Sequence, residues 1–174
     1  AKIAMTAAFL VNPEISNEQF AQGLSGFTGL PHRLKFVREI HGVKFYDDSI
    51  STTPGSAIAA LKSFGEPKIL LLGGSDKGAD LSPLFAEISA SKSIRKVLVY
   101  GAESSKLAEK FAVINFDNFE NLGEKPNFEE VVKRAFAVAE SGDVVILSPA
   151  HASFDMFSSY ADRGEQFVRA VENL

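Results

Sequence analysis

A tract near the C-terminus, Ser148-Pro149-Ala150-His151-Ala152-Ser153-Phe154-Asp155, places hydroxyls, an imidazole and a carboxylate within a short span. It follows directly on an apolar run, Val144-Val145-Ile146-Leu147. In an open α/β sheet, ligands bind at the carboxyl ends of the strands. The tract therefore delivers groups suited to holding an anion or orienting a substrate to such an edge. The same residue types also build ordinary strand-to-helix turns, and both readings are open. His151 has no partnered nucleophile in a GxSxG elbow, which argues against a hydrolase triad.

Three other loops carry candidate chemistry. Gly73-Gly74-Ser75-Asp76-Lys77-Gly78-Ala79-Asp80 is glycine-rich and follows a buried strand. Free amides at a helix start favour anions, and Lys77 adds a mobile positive charge. The loop lacks the GxxxxGK[ST] and GxGxxG patterns of phosphate and dinucleotide loops; a tight turn with a solvated lysine is the other reading. Asp47-Asp48-Ser49 has the groups for a metal or a ribose, and equally for a turn or cap. Thr52 and Thr53 precede a helix, so capping is their first explanation and ligand contact their second. Arg33, in a Pro-His-Arg loop, has the planar fork that clamps phosphate, or is a plain surface arginine.

These loops need elements to hold them. Residues 2–11 read as a short apolar helix ended by Pro13. Ser16-Asn17-Glu18-Gln19 fits a capping box opening a second helix to about Leu24. A glycine-rich loop to Arg33 marks a boundary. Leu34, Phe36 and Val37 begin a strand, His41-Gly42 turns it, and Val43–Tyr46 returns as its hairpin partner. Thr53-Pro54 starts a helix that runs to about Phe64. Strands are then expected at 68–72, 96–100, 113–116 and 143–147. Helices are expected from Asp80 or Ser82 to 89, and over 103–112, 128–140 and 158–173. Alternating strands and helices imply a mainly parallel sheet with right-handed crossovers. The expected fold is α/β: a Rossmann-like, mainly parallel sheet with helices on both faces, preceded by a short helical remnant.

Composition excludes several classes. A net charge of -4 argues against a broad nucleic-acid footprint. With no cysteine there is no disulfide framework, thiol nucleophile or thiolate metal site. The histidines at 32, 41 and 151 are too dispersed for a local zinc motif, so no metal ligand is expected. No apolar stretch approaches the ~20 residues of a membrane span. Residues 3–11 lack the basic leader and cleavage site of a signal peptide, and a cytoplasmic location is expected.

Taken in order, five motifs converge: Gly29-Leu30-Pro31-His32-Arg33, Asp47-Asp48-Ser49-Ile50-Ser51-Thr52-Thr53-Pro54, Leu71-Leu72-Gly73-Gly74-Ser75-Asp76-Lys77-Gly78-Ala79-Asp80, Leu147 to Asp155, and Arg163-Gly164-Glu165-Gln166-Phe167. Over about residues 17–174 this order and spacing resembles the C-terminal part of a Mur ligase. Within that family it most resembles the enzymes that add D-glutamate to UDP-N-acetylmuramoyl-L-alanine in peptidoglycan synthesis.

The resemblance implies three domains in the whole enzyme, with ATP and Mg bound by a central domain whose P-loop is absent here. It implies that residues 1–33 are the tail of that central ATPase domain and a hinge, and 34–174 the amino-acid-binding domain. The fragment alone is expected to be inactive, to contain no catalytic residue and to require no cofactor; its partners are its own missing domains and, through them, UDP-N-acetylmuramoyl-L-alanine. In the family's reaction ATP phosphorylates the alanine carboxylate, and the D-glutamate amine attacks the acyl phosphate. Thr52 and Lys77 match the family positions that bind one D-glutamate carboxylate; Ser153 and the backbone amide of Tyr160 match those that bind the other. Arg33 matches a position reaching the ATP phosphates, and Asp48 one reaching its ribose. Ile50 stands where some relatives carry lysine, Tyr160 where some carry Phe, and His151 at a position often held by a small residue; His151 is given no catalytic role. Two rivals remain: another Mur-type or folylpolyglutamate-type ligase domain, and a non-catalytic Rossmann-like anion-binding module.

Overall fold

The computed structural model describes residues 2–174, in two units, one ending at Leu30 and the other spanning Pro31–Leu174. The first holds α1 (Lys2–Val11) and α2 (Asn17–Ser25). The capping box is present: Ser16 Oγ accepts from the Gln19 amide, and Gln19 Oε1 accepts from the Ser16 amide at 2.9 Å. Phe9 stacks on Phe20 with ring centroids 6.1 Å apart. Ile3 and Leu10 remain exposed.

The second unit contains β1 (Lys35–Ile40), β2 (Val43–Asp47), α3 (Pro54–Lys62), β3 (Lys68–Gly73), α4 (Ser82–Ala90), β4 (Ile94–Tyr100), α5 (Ser104–Val113), β5 (Phe119–Asn121), α6 (Phe128–Val138), β6 (Val144–Ala150) and α7 (Tyr160–Glu172). The six strands form one sheet in the order β1-β2-β6-β3-β4-β5. The β1–β2 hairpin is antiparallel and every other pairing is parallel. Every residue of β3 and β6 is buried, as central strands covered on both faces must be.

Two apolar cores lie on opposite faces. One joins α6 and α7 to the sheet through Phe128, Val132, Phe167 and Val171. The other joins α3, α4 and α5 through Leu61, Ile88, Leu107 and Phe111. The helix leaving β6 is thus on the face opposite those leaving its neighbours β2 and β3. This reversal opens a crevice at the carboxyl end of β6, the switch point where such sheets bind ligands.

Three local expectations change. Residues 113–116 are not a strand. They close α5 in a Schellman motif: the Phe116 amide donates to Phe111 O, the Asn115 amide to Ala112 O, and Asn115 has φ +53°. Phe116 folds back on Phe111 at 5.3 Å, and the strand follows at Phe119–Asn121. The N-cap of α4 is Leu81, not Asp80 or Ser82; Asp80 still serves that end, its Oδ1 accepting from the Ser82 amide at 2.9 Å. The last central strand runs beyond Leu147 to Ala150, so Ser148 belongs to β6 and only the residues from His151 onward form its exit loop.

Candidate functional site

The sheet brings the ends of β2 and β6 side by side, with Asp47 opposite Leu147. Consecutive strand residues point to opposite faces, so Asp47 and Asp48 diverge. Asp47 Oδ2 accepts a hydrogen bond from His32 Nδ1 at 2.7 Å, and its Oδ1 accepts from the Ser49 amide at 2.9 Å. Asp48 Oδ1 accepts from the Leu34 amide at 3.1 Å and its Oδ2 from the Ser148 hydroxyl at 2.8 Å. Burial raises the Asp48 carboxyl above its usual range, against the pull of these donors and of Arg33. The two carboxylates thus serve different partners, and no group of three or more acids and histidines that could hold a metal ion occurs among the described residues.

Arg33 and Asp48 do come together. They line a cavity of about 80 Å³ with Leu34, Ile50, Ser51 and Ser56. Thr53 takes the capping role, forming a reciprocal pair with Ser56.

The loops after β2, β3 and β6 are laced together by backbone. The Ala150 amide donates to Ser51 O at 2.9 Å; Ser75 and Ala152 exchange hydrogen bonds of 2.9 and 3.1 Å. Gly74 makes the Ser75–Ala152 approach possible, since a Cβ on it would lie 2.1 Å from Ala152 O; a Cβ on Gly73 would lie 1.8 Å from Tyr100 O at the end of β4. Thr52, Lys77 and Ser153 sit on these three strand exits. Tyr160 opens α7, so its amide has no acceptor within the helix. Thr52 is half-buried, Ser153 buried, and Lys77 and Tyr160 exposed. The Lys77 ammonium stands 6.0 Å above the Phe154 ring. A cation, two hydroxyls and a helix-start amide thus stand on the loops that leave the carboxyl ends of β2, β3 and β6 and at the start of α7; these are donor types that bind carboxylates. A separate cavity of about 450 Å³ between α4 and α5 is lined by Phe85, Val113 and Ile114 and by none of these residues.

His151 is buried, and its Nδ1 faces Pro149 O at 3.0 Å. A carbonyl only accepts, so Nδ1 carries the proton and Nε2 is bare in the neutral ring. Burial lowers its pKa.

Arg163, which the fifth motif contains but to which the sequence assigned no role, is fully buried. Its Nε donates to Ser49 Oγ and one Nη2 to Ser49 O, both at 2.9 Å, and Nη2 also reaches His151 O at 3.2 Å. Ser49 Oγ in turn donates to Tyr160 O at 2.7 Å. Burial pushes the guanidinium down from its usual value, opposed by Tyr100, Asp155 and Asp47; an arginine stays charged regardless. The available signal was Gly164 beside it, since a glycine inside a helix asks for a packing reason.

The family described as "Mur ligase, glutamate ligase domain" matches residues 32–151. The UDP-N-acetylmuramoylalanine–D-glutamate ligase of Caldicellulosiruptor saccharolyticus is 41% identical over 174 residues, covering 100% of this chain and 36% of that protein. The ligase of the same name from Nitrosomonas europaea is 45% identical over 88% of this chain and 31% of its own length. The chain thus spans about a third of the length of the curated relatives it matches. Among solved structures, the MurF ligase of Thermotoga maritima in complex with ADP superposes with a TM-score of 0.60 at 20% identity, over 96% of this chain and 36% of that one. The folylpolyglutamate synthase of the same organism gives 0.54 at 18% identity, over 89% of this chain and 34% of that one; at these identities the likeness is one of fold. With the family match covering most of the chain, and with its sheet, crevice and strand-exit loops in place, this chain belongs to the Mur ligase family as its glutamate ligase domain.

Proposed function

We propose that this chain is the amino-acid-holding domain of an ATP-dependent ligase that joins D-glutamate to UDP-N-acetylmuramoyl-L-alanine in peptidoglycan synthesis. The reading is supported by the placing of Thr52, Lys77 and Ser153 on the loops after β2, β3 and β6, and of the Tyr160 amide at the start of α7, beside the β6 switch point. Identity above 40% to ligases of that name supports the step. In this reading residues 1–33 are the end of the central ATPase domain and a hinge, and 34–174 the amino-acid-binding domain.

The domain's physical task is to fix a dianion and aim its amine. Lys77 and Thr52 hold one carboxylate, Ser153 and the Tyr160 amide the other. Two fixed ends leave the amine little freedom, which converts a bimolecular attack into a positioned one. ATP, when bound, supplies the phosphoryl group that activates the acceptor carboxylate. Arg33 would meet its phosphates and Asp48 its ribose from the one narrow cavity they line, with the remaining nucleotide contacts supplied by the central domain. Asp48 is presented for this by Leu34 and Ser148. No helix among the described residues is long and apolar enough to cross a membrane, in keeping with a reaction on water-soluble substrates in the cytoplasm.

The test joins this chain to the preceding two thirds of the C. saccharolyticus ligase and measures phosphate release with ATP, Mg, the UDP-sugar and D-glutamate, L-glutamate or L-lysine. Release that requires D-glutamate and is lost in Lys77→Ala is expected. Release with another amino acid moves the domain to a different ligation step. No release from a folded protein overturns the reading in favour of an anion-binding module.

A further inference from the structure

A polar cluster beneath the β6–α7 loop serves none of the roles above. Tyr100, the last residue of β4, is wholly buried with its ring 5.4 Å from Phe128. Its hydroxyl lies close enough to pair loosely with the Arg163 guanidinium, but that hydroxyl, Arg163 Nη1 and Asp155 Oδ1 are all buried and none makes a well-aligned hydrogen bond. Tyr100 and Arg163 each interact electrostatically with the other and with Asp155, so the three groups share one spot. Buried polar atoms without partners are rare and call for an explanation.

The rest of the same side chains grips the loop. Arg163 holds His151 O and both oxygens of Ser49, and Ser49 Oγ holds Tyr160 O. Asp155 Oδ2 accepts from the Ala102 amide at 2.8 Å. The span from His151 to Tyr160 is thus tied at its start, middle and end. Ser153 and the Tyr160 amide lie between the ties. A guanidinium suits this work because its rigid fork serves several acceptors at once, which an ammonium does not.

We propose that Arg163, with Tyr100 and Asp155, is a positioning brace that sets the His151–Tyr160 loop so that the Ser153 hydroxyl and the Tyr160 amide meet the amino-acid carboxylate together. The proposal rests on the amino-acid reading given above. Arg163 touches no substrate; it acts through the loop.

Two variants test it, Arg163→Lys and the milder Tyr100→Phe, which removes a single oxygen. Amide hydrogen exchange is measured on the 174-residue chain, and kinetics on the joined ligase. The brace predicts exchange over 151–160 faster by about 10-fold in Arg163→Lys, with β3 and β4 unchanged, as expected of a local opening. It predicts a KM for D-glutamate raised about 10-fold or more in Arg163→Lys and less in Tyr100→Phe, with the KM for ATP within about 2-fold, because misplacement penalises the misplaced contact. Unchanged loop exchange in the folded variants overturns the proposal, as does faster exchange with an unaltered D-glutamate KM. If Arg163→Lys does not fold, Tyr100→Phe decides alone. If the unsubstituted joined protein shows no D-glutamate dependence, the substrate reading falls, and the exchange measurement decides the brace by itself.

Discussion

Gly164 lies so close to His32 that a Cβ built on it would stand 2.2 Å from the imidazole Nδ1, and 2.8 Å from Asp47 Oδ2. The helix α7 therefore rests its backbone directly on the His32–Asp47 pair that closes the end of β2. One side chain's absence lets α7 approach, and that approach delivers Arg163 to Ser49 and Tyr160 to the crevice.

Gly164→Ala should lower stability by about 1–2 kcal/mol: an overpacking penalty of ~1–3 kcal/mol is partly offset by the better helix propensity of alanine. Removing the obstructing ring in His32→Ala should relieve part of that penalty. A double-mutant cycle by urea unfolding is expected to show coupling of at least ~0.5 kcal/mol. Additive effects would show that the close approach carries no energy.

His151 sets a pH dependence. Burial places its folded pKa below the unfolded value of 6.5. As pH falls through 6.5 the unfolded chain takes up the proton first, so the stability from the neutral buried ring is full above 6.5 and declines below it. Wild type should lose stability relative to His151→Asn between pH 7 and 5. An NMR titration of the ring should show a midpoint below 6.5; one at or above it would contradict the assignment.

Lys77 and Thr52 should differ in magnitude. A charge-assisted hydrogen bond contributes ~1.5–3 kcal/mol and a neutral one ~1 kcal/mol. In the joined ligase, Lys77→Ala should raise the KM for D-glutamate about 10- to 150-fold, and Thr52→Ala about 5-fold, with the KM for the UDP-sugar unchanged in both. Equal effects on both KM values would move Lys77 out of the amino-acid pocket.

Phe111 separates stability from binding. It is fully buried on the α3–α4–α5 face, 4.7 Å from Phe85 and 5.3 Å from Phe119. Phe111→Ala should destabilise by about 3–5 kcal/mol through the cavity it leaves. At a temperature where the variant stays folded, its KM for D-glutamate should match wild type. A raised KM would mean that this core reaches the crevice.

Much of the fold was legible in the chain because the signals are local. The Ser16–Gln19 box, the Thr53-Pro54 helix start and the continuous apolar run at 68–72 each depend on neighbours in sequence, and each stands where expected. The strand expected at 113–116 failed because apolarity is not burial: Val113 is 78% exposed, and an Asn in the left-handed region ends a helix there. Of the residues proposed for the site, Asp48, Thr52, Lys77 and Ser153 stand after strands and Tyr160 at a helix start, whereas Arg33 precedes β1. What the amino-acid order alone determined is therefore the alternation of elements and the donors placed at their ends. The tertiary structure decided which ends meet. Inserting β6 between β2 and β3 reverses the helix faces and opens the crevice there. It also divides Asp47 from Asp48, buries Arg163 and makes Gly164 necessary. Each of these arises from contacts between residues far apart in sequence, and no local pattern encodes the distance across which a side chain will find its partner.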